Sequence, residues 1–280
     1  MASRPSSPAT SQAEAKISIL DPATLGCMLE RARRWRAMEK RLAGAVASDS
    51  LRHALACIAS TVDLKSGDSI AAQRYSIEAE VSRGADLARV SAAFGKTRKQ
   101  ERATMSTASV LALAAGLAGG ASALRTSVPK SKISDLPVVL ALLESQLEGP
   151  SLNAVLGLAT QRKLPLVIVA LRGAFETQPP DNFAAYEIDR FPRIPADRAD
   201  PIAIYRVAHE GIERARIGYG PTLVDCVEWP FGAAEDPFQT VERHALSLGM
   251  PIRREKLEAQ FVAELNRATS EPEVALFAPE

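Results

Sequence analysis

Apolar and charged positions alternate at helical spacing after Asp200, and this pattern predicts a capped amphipathic helix. Its apolar positions recur every three or four residues: Ile204, Ala208, Ile212 and Ala215. Its charged positions fall on other faces of the helix: Arg206, Glu213, Arg214 and Arg216. Asp200 can cap the first turn with Pro201 as the first helical residue, and Gly218, Gly220 and Pro221 can end the helix.

Three nearly continuous apolar runs predict buried strands, at residues 137–143, 164–171 and 222–229. A helix predicted over residues 151–162 separates the first two runs, which makes a βαβ unit with a right-handed crossover. A further short strand is predicted over residues 69–73. We therefore expect an α/β fold with a doubly wound parallel sheet.

Helices are predicted on both sides of these strands, over residues 17–60 and 104–124 and again after Asp236. The expected apolar anchors of the C-terminal helices are Leu246, Leu248, Leu257, Phe261 and Leu265. The segment 177–195 is rich in Pro, Asp and Arg and is predicted to be a loop. We expect a disordered tail over 1–16, a single domain over 17–268 with helical extensions, and a flexible tail over 269–280.

The composition is that of an ordinary globular protein, with 46% apolar and 24% charged residues and a net charge of +1. This balance indicates neither nucleic acid nor a membrane as a partner. The apolar run 110–124 is shorter and weaker than the roughly 20 residues that span a bilayer, so we interpret it as a tightly packed internal helix. Cys57 and Cys226 are predicted to be buried free thiols, and the first 16 residues lack the apolar stretch of a secretory signal. These features favour a cytoplasmic protein.

Local catalytic motifs are weak. The glycine-rich stretch 116–120 lacks the lysine of a phosphate-binding loop, and no nucleophile elbow is found. His53, His209 and His244 fall on separate predicted helices, and we expect a surface position for His209.

Several segments resemble, in order, those of one enzyme family: Leu64–Asp68 with Arg83-Gly84, Lys163-Leu164-Pro165, 200–229, Asp236-Pro237-Phe238 and Leu248-Gly249. The family is that of the alpha subunits of the decarboxylating component of 2-oxo acid dehydrogenase complexes, the pyruvate and branched-chain type. The resemblance covers most of residues 20–268 and implies the thiamine-diphosphate-binding fold. It also implies a magnesium ion that holds the diphosphate at the carboxyl ends of the strands.

The resemblance places the family's Gly-Asp-Gly signature at Leu143-Glu144-Ser145 and its Asn-Asn pair at Arg172-Gly173. The family's Tyr-Arg, with a histidine two residues later, is replaced by Arg74-Tyr75-Ser76-Ile77. The implied cofactor-binding positions are therefore Glu144, Arg172, Gly173, Arg74 and Tyr75, with most ligands replaced. We predict no catalytic residue and no metal ligand among them, so that thiamine diphosphate and magnesium are implied by lineage only.

Three interpretations of Glu144 and Arg172 remain open. They are ordinary polar residues at strand ends, or they form an ion pair across adjacent strands, or Arg172 and Arg74 bind a phosphate without metal. The resemblance implies a homodimer or a complex with a beta-like subunit. Two functions follow: a non-catalytic alpha-like subunit with a structural or regulatory role, or an active 2-oxo acid dehydrogenase when a beta subunit completes the site.

Overall fold

A computed structural model of the chain describes residues 20–43, 48–73, 77–85, 90, 105–125, 136–144, 149–171, 191–227, 236–251 and 254–270. The helices within these ranges are α1 (Pro22–Ala43), α2 (Ser48–Thr61), α3 (Ile77–Ser82), α4 (Thr107–Arg125), α5 (Gly149–Arg162), α6 (Pro201–Arg216), α7 (Pro237–Ser247) and α8 (Arg254–Ser270). The strands are β1 (Ser69–Ala72), β2 (Val139–Leu143), β3 (Leu166–Leu171), β4 (Arg193–Asp197) and β5 (Thr222–Val227).

The five strands form one parallel sheet in the order β1-β2-β3-β5-β4. β2 and β3 are buried along their whole length, because helices cover the sheet on both faces. This arrangement confirms the predicted α/β class and the doubly wound parallel sheet. Four of the five strands coincide with predicted ones, whereas the single-domain boundary over 17–268 stays a prediction.

Side chains that alternate along each strand supply two separate cores. Leu140, Leu142, Val167 and Val224 point toward α1, α2 and α6. On the opposite face a second cluster joins the strands to α4 and α5, and its members include Val139, Ala141, Ile168, Leu111 and Leu156. The period of two along each strand is what makes two faces available.

Helix α6 begins and ends as its sequence predicts. Asp200 is extended, and its carboxylate accepts hydrogen bonds from the N–H groups of Ile202 and Ala203 at 2.9 and 3.1 Å. Past the C-terminal end of the helix, Gly218 and Gly220 both have a φ of +91°, a conformation that favours glycine. The caps fix where the helix starts and where the chain turns into β5.

The predicted position of Arg216 is wrong, because this residue lies on the buried face of α6. Its side chain is only 1% exposed, and it pairs with Asp68, whose side chain is equally buried. Two hydrogen bonds of 3.1 and 2.8 Å join the guanidinium to the two carboxylate oxygens, and a third, of 2.6 Å, reaches the carbonyl oxygen of Leu136. Arg216 follows Ile212 by four residues, so it continues the apolar stripe by one more turn.

Asp68 connects three segments at the amino ends of the strands. Besides Arg216, its carboxylate accepts the N–H groups of Lys65 at 2.7 Å and Val138 at 2.8 Å. Asp68 directly precedes β1, Val138 directly precedes β2, and Arg216 closes α6. The ion pair therefore sets the relative position of two strands and one helix.

The predicted loop over 177–195 is wrong in its last three residues, which belong to β4. This strand is polar and contains Pro195, features that sequence patterns associate with loops. It lies at the edge of the sheet, where proline and charge are tolerated. Arg193 of β4 binds the buried carboxylate of Asp225 on β5 at 2.6 Å, which ties the edge strand to its neighbour.

Of the apolar anchors predicted for the C-terminal helices, Phe261 and Leu265 are buried, as predicted. The prediction that Leu246 is an apolar anchor is wrong, since this residue of α7 is 57% exposed. Leu248 is partly buried and packs against the core on the α6 side of the sheet. The side chain of Leu257 lies outside the described residues.

Helix α4 is only half internal, which corrects the predicted tightly packed helix. Val110, Leu111, Ala114 and Ala118 are fully buried against the sheet, whereas leucines on the opposite side are exposed. Within the described residues, one helical segment, 107–124, has the length and apolar composition needed to cross a membrane. A third of this segment (33%) is buried in the protein. Its inner face is part of the core around β2.

Candidate functional site

Polar side chains meet where β1 and β2 end, at the carboxyl edge of the sheet. Gln73 directly follows β1 and Glu144 directly follows β2. The Oε1 atom of Gln73 accepts the N–H of Glu144, and its Nε2 donates to Oγ1 of Thr107 at 3.3 Å. The carbonyl oxygen of Gln73 also accepts the N–H of Met105 at 2.7 Å. Gln73 is 8% exposed, and it joins the two strand ends to the start of α4.

His53 of α2 reaches the same edge from the other face of the sheet. Its Nε2 atom lies 3.5 Å from Oε1 of Glu144, and the two side chains are 13% and 22% exposed. The Sγ atom of Cys57 lies 3.7 Å from the same Nε2 atom. Glu144 therefore contacts a histidine that becomes a cation when protonated, in a partly buried setting where charges interact more strongly than in water. Sequence reasoning missed this contact.

The two thiols near this edge are buried. Cys57 is 1% exposed and Cys226 is fully buried, which confirms their predicted burial as free cysteines. Burial, together with the neighbouring Asp225, raises the pKa of the Cys226 thiol far above its ordinary value. Cys226 therefore stays protonated and packs as a small apolar side chain.

Of the five predicted cofactor-binding positions, the structure describes one. Glu144 lies at the end of β2, as the strand pattern predicts. Arg74, Tyr75, Arg172 and Gly173 lie outside the described residues. The ion pair between Glu144 and Arg172 and the anion site formed by Arg172 and Arg74 therefore stay predictions.

Among the described residues at this edge, the oxygen atoms that could bind magnesium already contact groups of the chain itself. Magnesium needs oxygen ligands in near-octahedral arrangement, supplied by carboxylates, phosphates and water. Here the amide oxygen of Gln73 is engaged by the N–H of Glu144, and the carboxylate of Glu144 faces an imidazole. The described ranges contain no group of three His, Cys, Asp or Glu residues that could hold a metal ion. A protonated His53 would also oppose a cation.

His209 is partly exposed, in keeping with its predicted surface position, and it belongs to a second polar cluster. Its side chain is 35% exposed, and its Nδ1 atom lies 2.6 Å from Oδ2 of Asp63. The imidazole stacks on Tyr205, with ring centroids 5.6 Å apart. Burial and the adjacent Asp63 raise the pKa of Tyr205 well above its ordinary value, so the phenol stays protonated. These contacts join α6 to the end of α2.

A cavity of about 1010 Å³ opens between α1, α7 and α8, away from the strand ends. Its walls carry charges of both signs, and two arginines in these walls form ion pairs with acidic residues of the same chain. Arg33 binds Glu242 at 2.9 Å with both side chains buried, and Arg36 lies 3.8 Å from Asp236. The guanidinium groups of Arg33 and Arg36 also stack on the ring of Phe238. These cations thus hold helices together.

Comparison with models of protein families finds none that matches this chain. A curated protein, the alpha subunit of acetoin:2,6-dichlorophenolindophenol oxidoreductase from Bacillus subtilis (strain 168), is 35% identical over 97 residues. The matched stretch covers 30% of this chain and 28% of that protein, so the chain spans less than a third of the relative's length. The similarity is to part of an oxidoreductase alpha subunit.

Proposed function

We propose that this chain is a divergent alpha-type subunit of the thiamine-diphosphate-dependent 2-oxo acid dehydrogenase lineage, with a structural or regulatory role in place of catalysis. The partial similarity to an oxidoreductase alpha subunit supports the lineage. The parallel doubly wound sheet supports it independently. On this proposal, a beta-like subunit is the natural partner.

The contact between Glu144 and His53 is the observation that supports a non-catalytic role. At the strand end where the lineage places a metal-binding aspartate, this chain has a longer carboxylate whose Oε1 atom faces an imidazole at 3.5 Å. The N–H of Glu144 donates a hydrogen bond to Oε1 of the buried Gln73. The N–H and one carboxylate oxygen of Glu144 therefore contact groups within the chain.

The test is thermal unfolding of the full chain with and without thiamine diphosphate and magnesium. A ligand present at about 100 times its Kd stabilises the folded state by about 2.7 kcal/mol. For a domain of this size that corresponds to a rise in Tm of roughly 5 to 10 °C. We expect no rise, either for the chain alone or when a beta-like subunit is added.

Glu144→Gln is the matched control, since it keeps the size of the side chain and removes its charge. A magnesium-dependent rise in Tm that is lost in Glu144→Gln would contradict the proposal and favour the active enzyme. A rise that persists in Glu144→Gln would show that the cofactor binds without this carboxylate, and it would contradict the proposal equally. The absence of a rise in both proteins supports the non-catalytic role.

A further inference from the structure

The cavity between α1, α7 and α8 has the size of a site for a small organic molecule. Its volume of about 1010 Å³ lies at the upper end of the roughly 300 to 1,000 Å³ that such sites occupy in proteins. Its wall on α1 consists of Arg33, Arg36, Ala37 and Lys40, which share one face of the helix because most are three or four residues apart. Three of these four side chains are cations, so the sign of the charge on this wall is uniform.

Arg36 is oriented by its neighbours but keeps its hydrogen-bond donors available. Its guanidinium stacks on the ring of Phe238, 5.3 Å from the centroid. The carboxylate of Asp236 is 3.8 Å away, which is longer than a hydrogen bond. Within the described part of the chain, Arg36 donates no hydrogen bond, and its side chain is 45% exposed. A guanidinium that stacks through its face leaves its in-plane N–H groups free, and their fork matches a carboxylate.

Lys40 adds a second cation one helical turn further along the same wall. It is exposed, and it forms no ion pair with any described residue. The acids nearby do not cancel this charge, because Glu242 is bound by Arg33 at 2.9 Å and Asp236 already faces Arg36. The described residues of the cavity comprise four cations and three acids. The α1 wall is therefore a cationic surface that can attract an anionic group.

The other two helices supply an aliphatic surface to the same cavity. Leu246 of α7 is 57% exposed and Val262 of α8 is 44% exposed, and both line the cavity. Contact with an alkyl chain would remove these side chains from water, which is favourable in proportion to the apolar area covered. A cationic wall and an aliphatic wall around one cavity complement a molecule that has an anionic head and an apolar chain.

We propose that this cavity binds an aliphatic carboxylate, with the carboxylate on Arg36 and Lys40 and the alkyl chain against Leu246 and Val262. This binding does not depend on a cofactor at the strand ends. The test is isothermal titration calorimetry of the full chain with octanoate.

Three ligands separate the contribution of the head group from that of the chain. Octanoate should bind saturably. Butyrate has the same carboxylate and a shorter chain, so it should bind at least about tenfold more weakly, because it covers less of the aliphatic surface. Octylamine has the long chain with the opposite charge, and it should give no saturable heat, because the α1 wall repels a cation.

Substitutions then locate the octanoate. Arg36→Gln should raise its Kd at least about tenfold, because a charged hydrogen bond is lost. Lys40→Gln should raise it about threefold, as expected for an exposed charge. Leu246→Ser should weaken octanoate binding more than butyrate binding. Arg162→Gln is the matched control, since Arg162 is exposed at the end of α5 on the opposite face of the sheet, and it should leave the Kd unchanged.

The absence of saturable octanoate binding to the wild-type chain would overturn the proposal. Octylamine that binds as tightly as octanoate would overturn it too, and so would a Kd that neither Arg36→Gln nor Lys40→Gln changes. Circular dichroism establishes that each variant is folded. Should Arg36→Gln fail to fold, Lys40→Gln and Leu246→Ser decide, since both change exposed residues.

Discussion

Removing Arg216 from its pair with Asp68 should destabilise the protein more than any exposed substitution. Arg216→Met replaces the guanidinium by an apolar chain that still fills the space along the helix stripe. It leaves the carboxylate of Asp68 buried, where it still accepts the N–H groups of Lys65 and Val138. The carbonyl oxygen of Leu136 loses its guanidinium partner in the same step.

The magnitude follows from burial, since both side chains are 1% exposed. Removing one partner of a buried ion pair costs about 3 to 5 kcal/mol, because the other charge is left without compensation. That is a large part of the 5 to 15 kcal/mol that typically separates folded from unfolded protein. With an m value of about 3 kcal/mol per molar urea, the midpoint should fall by about 1 to 1.7 M.

Urea unfolding followed by circular dichroism measures this loss, with Arg206→Met as the matched control. Arg206 is exposed on the same helix, so the same substitution should change the free energy of unfolding by no more than about 0.5 kcal/mol. The double variant Asp68→Asn with Arg216→Met should recover more than about 1 kcal/mol of the summed single losses. A cost below about 1 kcal/mol for Arg216→Met would show that the buried pair with Asp68 contributes little to stability.

Three further substitutions test other parts of the fold. Asp200→Ala removes the N-cap of α6 and should cost about 1 kcal/mol in urea unfolding; an unchanged midpoint would contradict the cap. Gly211→Ala gains helix propensity but brings its Cβ to 3.2 Å from Thr222, so we expect a net loss of stability. A gain in stability would show that Thr222 of β5 can move to make room for the added methyl group. Burial and the charge of Arg206 hold the pKa of His244 below 6.5. The neutral imidazole therefore contributes its full stability above pH 6.5, and this contribution is lost as the pH falls through the lower pKa of the folded protein. Below pH 6.5 the free energy of unfolding of His244→Asn should depend less on pH than that of wild type. An equal dependence would contradict this.

The sheet could be predicted because its signals are local. The runs that became β2 and β3 are aliphatic throughout, and full burial on both faces is what such runs indicate. β4 escaped prediction because an edge strand does not need apolar residues, and its Pro195 and charged side chains resemble a loop. The prediction for Arg216 was wrong because a charged residue is normally assigned to the exposed side of a helix. Its position, four residues after Ile212, in fact places it on the apolar stripe.

The location of the candidate site could be predicted from the sequence, but the residues that contact Glu144 could not. The end of a parallel strand locates Glu144 without any knowledge of its neighbours. Its partners His53 and Gln73 come from α2 and from the end of β1, far earlier in the chain, and no local pattern relates them to β2. Such contacts depend on strand order and helix packing, which only the folded chain supplies.

We propose that the carboxylate of Glu144 serves the contact with His53 and not a metal-bound diphosphate. The chain has three histidines, so NMR of the imidazole groups can follow His53 with His209 and His244 as internal references. Glu144→Gln should move the His53 signal alone. Adding magnesium and thiamine diphosphate together should leave it in place. A saturable shift of the His53 signal on that addition, abolished by Glu144→Gln, would contradict the account.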